Sequence, residues 1–64
     1  MTDVAERLRK ARKQKGCSSL VVADTVGVNR SSIQMYEAGL RTPRDSVKIK
    51  LADFYGLTVQ ELFY

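Results

Sequence analysis

The stretch from Ser18 to Gly39 limits the possible fold of this chain more than any other. Ser18 is an oxygen-bearing residue that can accept a hydrogen bond from an unpaired backbone N–H at a helix start, and apolar residues follow it at helical spacing. Gly27 ends this segment, because glycine adopts the left-handed backbone of a helix end at the least steric cost. Asn29 is a residue type that begins helices, and Gly39 ends the second segment. The stretch therefore predicts two short helices joined by a tight turn.

The second of these helices presents a polar face near its start. Ile33 and Tyr36 form its apolar stripe, so the remaining side chains of the first turns face away from the core. These side chains are those of Asn29, Arg30, Ser31, Gln34 and Met35. Arginine, asparagine, glutamine and serine can hydrogen-bond base edges in the major groove of DNA. The unit therefore looks like a helix-turn-helix whose second helix reads DNA, with an apolar contact from Met35.

Periodicity and helix-ending residues predict three further helices. Asp45 is a suitable N-cap for the fourth, on which Lys48 and Lys50 are expected to face water. Thr58 and Glu61 form the Thr-x-x-Glu pattern of a capping box before the last. The predicted helices cover residues 3–15, 19–26, 30–38, 46–55 and 59–63. Without any strand signal, the chain is expected to be one all-α domain over residues 1–64, a five-helix bundle.

Composition excludes several classes of protein. The 64-residue chain has no histidine and only one cysteine, Cys17, which rules out an internal disulfide and a Cys/His zinc site. The usual general base of enzymes is also missing. No apolar run approaches the ~20 residues of a membrane span. We therefore expect a cytoplasmic, nucleoid-associated protein that is not an enzyme and uses no cofactor or metal.

The positive charge is concentrated in the first predicted helix. Six of the eleven cations lie in one nine-residue run, namely Arg7, Arg9, Lys10, Arg12, Lys13 and Lys15. Such a run can be a solvated helix face or an electrostatic footprint for phosphates. Its position one element before the helix-turn-helix favours the second interpretation.

Polar residues on both sides of the predicted reading helix are candidates for holding the DNA backbone. Arg41, Thr42 and Arg44 lie in the Gly- and Pro-containing loop that follows this helix. Side chains there can bind phosphates and fix the register of the reader, although the loop can also serve only solubility. Ser18 and Ser19 open the preceding helix, whose N-terminal N–H groups can bind a phosphate.

Short fragments in order along the chain resemble the phage-repressor-like (Xre/Cro-type) helix-turn-helix family. They are Arg12-x-x-x-Gly16, Ala23 with Val26-Gly27-Val28, Ser31-Ser32-Ile33, Tyr36-Glu37-x-Gly39, Arg41-Thr42-Pro43, and Leu51-Ala52 with Tyr55-Gly56-Leu57. The resemblance covers essentially the whole chain. It implies a five-helix domain of the lambda-repressor-like type that binds DNA, usually as a dimeric transcription regulator of bacteria or their phages.

The resemblance also assigns roles to individual residues. It implies an internal ion pair between Arg12 and Glu37, and it puts the five polar-face residues at base-reading positions. The chain departs from the family at Ser19, where glutamine is common and grips a phosphate. Leu20 and Val21 also depart, since they stand where the family is polar, and they are either ordinary exposed residues or a contact surface for a protein partner.

These observations lead to one main functional hypothesis and one alternative. The main hypothesis is a sequence-specific regulator, a repressor, that binds a near-palindromic operator on double-stranded DNA as a homodimer. The apolar C-terminal residues Leu57, Leu62, Phe63 and Tyr64 are its expected dimer surface, unless they complete the core instead. The alternative is a protein-interaction module of the same fold, such as an antitoxin or anti-repressor partner.

Overall fold

The computed structural model describes residues 3–64, which form five α-helices without a strand in that range. The helices are α1 (Val4–Lys15), α2 (Ser19–Val26), α3 (Arg30–Glu37), α4 (Asp45–Tyr55) and α5 (Val59–Phe63). The predicted all-α five-helix fold is confirmed, and each helix end lies within one residue of its predicted position. Met1 and Thr2 belong to the predicted domain but lie outside the described residues.

Local hydrogen bonds explain where two of the helices start. The Ser18 side chain accepts a hydrogen bond from the Val21 N–H at 3.3 Å, which satisfies a backbone donor at the start of α2. At the start of α5, the Thr58 N–H donates to the Glu61 carboxylate at 2.9 Å, and the Glu61 N–H donates to the Thr58 hydroxyl at 3.0 Å. This reciprocal pair is the predicted capping box.

Two other helix starts differ in part from the prediction. The prediction that Asp45 caps α4 is wrong, because Arg44 holds the N-cap backbone position and Asp45 is the first helical residue. There its carboxylate still lies near the positive end of the helix dipole. Asn29 holds the N-cap position of α3, but its side chain makes no capping hydrogen bond. The predicted N-cap position of Asn29 is therefore confirmed, without the side-chain hydrogen bond that capping supplies at α2.

The core lies where the five helices meet. The α2 helix packs against α3 and α4, while α1 packs against α3, α4 and α5. The largest fully buried side chains come from four different elements, and they are Val22, Ile33, Leu51 and Leu62. Burial of such side chains contributes roughly 1.5–3 kcal/mol each, so the helices are held by contacts distant in sequence.

The C-terminal helix completes this core, which corrects part of the predicted dimer surface. Leu62 is 1% exposed and Phe63 is 6% exposed, because α5 packs back onto α1 and α4. Neither side chain is available to a partner, so their assignment to a dimer surface is wrong. Leu57 and Tyr64 remain accessible, with exposed fractions of 38% and 70%.

The Lys48 side chain does not simply face water as predicted. It is half-buried, and its ammonium lies 5.6 Å from the centre of the Phe63 ring and 5.1 Å from that of the Tyr64 ring. The ammonium also donates a hydrogen bond to the Tyr64 hydroxyl at 3.0 Å, which raises the pKa of Lys48. The lysine therefore ties the C-terminal residues to α4 by cation–π and hydrogen-bond contacts.

The turn between α2 and α3 allows a direct test of why glycine occupies a left-handed backbone position. Gly27 has a φ of +78°, and an added Cβ would meet nothing within 4 Å, so a side chain costs only backbone strain. We expect Gly27→Ala to lower the free energy of unfolding by about 1–2 kcal/mol in urea titrations. Gly27→Asn is the matched control and should lose less, because asparagine tolerates the left-handed region better. Equal stability of Gly27→Ala and the unchanged protein would contradict this account.

Candidate nucleic-acid interface

The α2–α3 turn fixes the start of α3 relative to the core. The N–H groups of Gly27 and Val28 both donate to the Ala23 carbonyl, at 2.9 and 3.0 Å. The Val28 side chain is half-buried against the core on the far side of the turn. These contacts close the end of α2 and set the direction in which α3 leaves the turn.

The α3 helix has a buried face and an exposed face. Ile33, Tyr36 and Glu37 are buried, at the spacing of one helical stripe. The predicted base-reading residues are accessible; Asn29, Arg30, Ser31 and Gln34 are exposed, and Met35 is half-buried. The structure thus brings all five to the first turns of α3 and its N-cap, on the side that faces away from the core.

Glu37 is the one buried charged residue among those that the structure describes. The Nε of Arg12 donates to its two carboxylate oxygens at 2.9 and 3.1 Å. The expected ion pair between α1 and α3 is therefore present, and this hydrogen bond raises the pKa of the Arg12 guanidinium. Because a buried carboxylate needs a partner, the pair fixes α3 against α1.

Two further contacts extend this ion pair to neighbouring elements. Arg12 also donates, through Nη1, to the Cys17 carbonyl at 3.2 Å, just before α2 begins. The Nη1 of Arg9 donates to the main-chain carbonyl of Glu37 at the C-terminal end of α3. The sequence shows Arg9 only as part of the basic run, since nothing local signals a contact with a residue 28 positions away.

Tyr55 on α4 lies in the electrostatic environment of the same ion pair. Burial raises its pKa to about 12, and the negative charge of Glu37 acts in the same direction. The phenol therefore stays neutral at physiological pH and adds no charge beside the pair. The site is built from one charged pair with a neutral hydroxyl near it.

The loop after α3 carries the predicted backbone-holding residues. Arg41, Thr42 and Arg44 are all exposed, whereas Pro43 between them is buried and anchors the loop. Arg41 and Arg44 line an open cleft of about 380 Å³ that the α2–α3 turn and α4 also border. The loop therefore holds two guanidinium groups beside the first turn of α3.

The start of α2 exposes apolar side chains, whereas the start of α3 exposes mainly polar ones. The Ser18 hydroxyl caps α2, as described above, and Ser19 is half-buried in its first turn. Leu20 and Val21 follow with exposed fractions of 50% and 48%. Their predicted exposure is confirmed, and α2 presents an apolar surface there.

The described part of the chain lacks two other kinds of feature. No helix within residues 3–64 has both the length and the apolar character needed to cross a membrane. Over the same residues, no group of three or more His, Cys, Asp and Glu side chains is placed to hold a metal ion.

Comparison with known proteins identifies the same helix-turn-helix fold that the helices of this chain form. The family model described as helix-turn-helix matches residues 8–62. This chain belongs to the helix-turn-helix family. The controller protein C.AhdI of a restriction-modification system from Aeromonas hydrophila has a similar structure, with a TM-score of 0.87 and 33% sequence identity. The match covers 94% of this chain and 91% of that protein, so the two domains share the fold over nearly their whole length.

Two curated relatives are named as regulators of transcription. The HTH-type transcriptional regulator AnsR of Bacillus subtilis is 37% identical over 57 residues, which are 89% of this chain and 49% of the relative. The cryptic phage CTXphi transcriptional repressor RstR of Vibrio cholerae is 31% identical over 58 residues, 91% of this chain and 52% of the relative. The chain spans about half the length of both relatives. The matches confirm the predicted family.

The ion pair predicts a stability loss on substitution of Glu37. Glu37→Ala should lower the free energy of unfolding by about 3 kcal/mol, the lower end for a broken buried pair, because the Arg12 side chain is 24% exposed. Thermal melting monitored by circular dichroism would measure the change. Glu37→Gln is the matched control, since it keeps a hydrogen-bond acceptor of the same shape, and it should lose less. A melt of Glu37→Ala that matches that of the unchanged protein would rule out this role.

Proposed function

We propose that this chain is a sequence-specific double-stranded DNA-binding regulator of transcription, a repressor, that binds a near-palindromic operator as a homodimer with α3 in the major groove. One observation carries the proposal. Arg30, Ser31 and Gln34 share the exposed face of an α3 helix that a helix-turn-helix and a buried ion pair hold in place. Rigid support of this kind is what base readout requires.

The chemistry of the exposed face supports specific base contacts. The Arg30 guanidinium suits guanine, with two hydrogen bonds to O6 and N7, and the Gln34 amide suits adenine at N6 and N7. Ser31 can donate to or accept from either, and Met35 offers an apolar contact to a thymine methyl group. Asn29 joins this set because its side chain makes no capping hydrogen bond.

The surroundings of α3 support backbone contacts that position the reader. Arg41, Thr42 and Arg44 extend from the loop that follows α3, and Ser18 and Ser19 stand at the start of α2. Phosphate contacts on both sides of the reading helix would fix its register in the groove without reading sequence. The names of AnsR and RstR support a role in regulating transcription, and the name of RstR supports repression.

A homodimer is the simplest way for so small a domain to read a long site. Two-fold symmetry places two reading helices about 34 Å apart, which gives half-sites roughly one helical turn apart. Leu57 and Tyr64 are the accessible members of the apolar C-terminal region. Leu57 lies beside an open cleft between α1 and α5, and we assign the self-complementary contact to this side.

The decisive experiment is a binding selection from a random duplex pool at near-physiological salt, followed by a salt titration on the enriched sequence. We expect a near-palindrome with half-sites one turn apart, bound with a strongly negative salt slope. If the pool yields no enriched sequence, the proposal fails.

Substitution of Arg30 tests the assignment of base contacts on the enriched site. Arg30→Ala should relax preference at one base pair per half-site, a loss of about 1–3 kcal/mol of discrimination. Arg41→Ala is the matched control, because loss of a phosphate contact should weaken all sequences alike. Competition binding against single-base variants separates the two patterns. Uniform weakening by Arg30→Ala would make Arg30 a phosphate contact instead.

Substitution of Leu57 tests the dimer. Leu57→Glu should stay folded, because the side chain is already 38% exposed, yet sediment as a monomer at concentrations where the unchanged protein is a dimer. Ile49→Glu on α4 is the matched control, since Ile49 is 60% exposed and does not line the cleft beside Leu57, and it should remain dimeric. A Leu57→Glu variant that sediments as a dimer would refute this interface.

The exposed apolar pair on α2 favours a second candidate function, a protein-interaction module of the antitoxin or anti-repressor type. Leu20 and Val21 are neighbours, and each is about half exposed, 50% and 48%. A module of this kind need not bind duplex DNA with a negative salt slope. Failure of the duplex selection would therefore transfer the functional assignment to this surface.

A further inference from the structure

Three cations from two different elements line one cleft beside the reading helix. Arg41 and Arg44 come from the loop after α3, and Lys50 comes from α4. The polar side chains that share the cleft are those of Asn29 at the N-cap of α3, Ser32 and Tyr36 on α3, and Ser46 in the first turn of α4. The sequence predicts only that Lys50 faces water, because its neighbours in the fold are distant along the chain.

The lining of this cleft suits an oxyanion. None of the described residues that line it is acidic, and it offers two guanidinium groups, an ammonium, three hydroxyls and an amide as donors. Tyr36 and Arg41 also line a second groove, of about 420 Å³. That groove differs from the cleft, because Asp3 and the apolar Val4 and Phe63 line it as well. Of the two, only the cleft combines several positive charges with polar donors and no carboxylate.

We propose that Lys50, together with Ser46, binds a phosphate of the DNA backbone in this cleft while α3 occupies the major groove. The inference rests on the proposed function and adds two residues of α4 to the interface. The position of the cleft favours a phosphate of the DNA backbone over a free anion as its ligand. Asn29 and Ser32 belong to both the cleft and the start of α3, so an anion there lies beside the exposed face that carries Arg30.

The two lysines of α4 differ in their surroundings. Lys48 is half-buried and lies over the rings of Phe63 and Tyr64, whereas Lys50 is exposed and lines the cleft. Removal of the Lys48 charge would disturb these contacts, so Lys48 is a poor control. Lys13 on α1 is a better one, because it is exposed and lines a shallow surface with Glu6, Arg9 and Lys10 that shares no residue with the cleft, and it therefore asks separately whether the basic run of α1 meets phosphates.

The first test compares salt slopes on the enriched duplex. The slope of log K against log salt changes by about 0.9 for each phosphate that a protein no longer neutralises. We expect Lys50→Gln to reduce the slope by about this amount, and Lys13→Gln to leave it unchanged. Equal melting temperatures of both variants and the unchanged protein would show that folding is intact. Equal slopes for Lys50→Gln and the unchanged protein would overturn the proposal.

The second test locates the phosphate. A series of duplexes carries a single neutral methylphosphonate, each at a different backbone position. At one position per half-site, we expect this replacement to lower the affinity of the unchanged protein but not to lower the affinity of Lys50→Gln any further. Ser46→Ala should weaken binding to the unmodified duplex and, like Lys50→Gln, should lose no further affinity when the phosphate at that same position is neutralised. If the affinity losses from Lys50→Gln and from the methylphosphonate add fully at every position, the contact is refuted.

Two other outcomes are distinguishable. If inorganic phosphate alone binds saturably, and Lys50→Gln abolishes this binding but leaves the duplex slope unchanged, the cleft is a free-anion site and the proposal is wrong. If the unchanged protein itself binds no duplex in a salt-dependent way, the proposed function is wrong and the phosphate contact of Lys50 is overturned with it.

Discussion

The placement of the reading helix depends on the pairing of Arg12 with Glu37. A carboxylate buried among apolar side chains is costly unless it is paired, and Arg12 contacts both of its oxygens. A shift of α3 along α1 would leave the Glu37 charge unpaired, at a cost of several kcal/mol. The Arg9 contact with the Glu37 carbonyl acts on the main chain at the same end of α3. Two arginines of one helix therefore determine where another helix lies.

This pairing matters because α3 cannot hold its own shape. A helix of eight residues is far shorter than the ~12–15 residues at which an isolated helix becomes marginal in water. Its structure must therefore come from contacts at its ends and along its buried face. The Gly27 turn holds the N-terminal end, and the arginines of α1 hold the C-terminal end. The exposed face between them is thus ordered before any ligand binds, which lowers the entropy cost of recognition.

Sequence patterns predicted the helices well because helix starts and ends are local. Gly27 and the Thr58 capping box act on residues three or four positions away, so their effect is visible in the sequence. The Arg12–Glu37 pair spans 25 positions, and only the family resemblance pointed to it. The burial of Leu62 was not predictable from pattern, because an apolar helix of five residues looks the same whether it covers the core or a partner.

The fold also changes the meaning of the basic run on α1. Half of its six cations have partners within the domain: Arg9 and Arg12 bind Glu37, and the Lys15 ammonium lies 4.9 Å from the centre of the Phe54 ring. These charges stabilise the position of α1 against its neighbours and are only partly available to phosphates. The cations that lie beside α3 are instead the scattered ones of the loop and α4, which no run in the sequence singles out. Convergence in space, rather than density along the chain, therefore identifies the surface best suited to a DNA backbone.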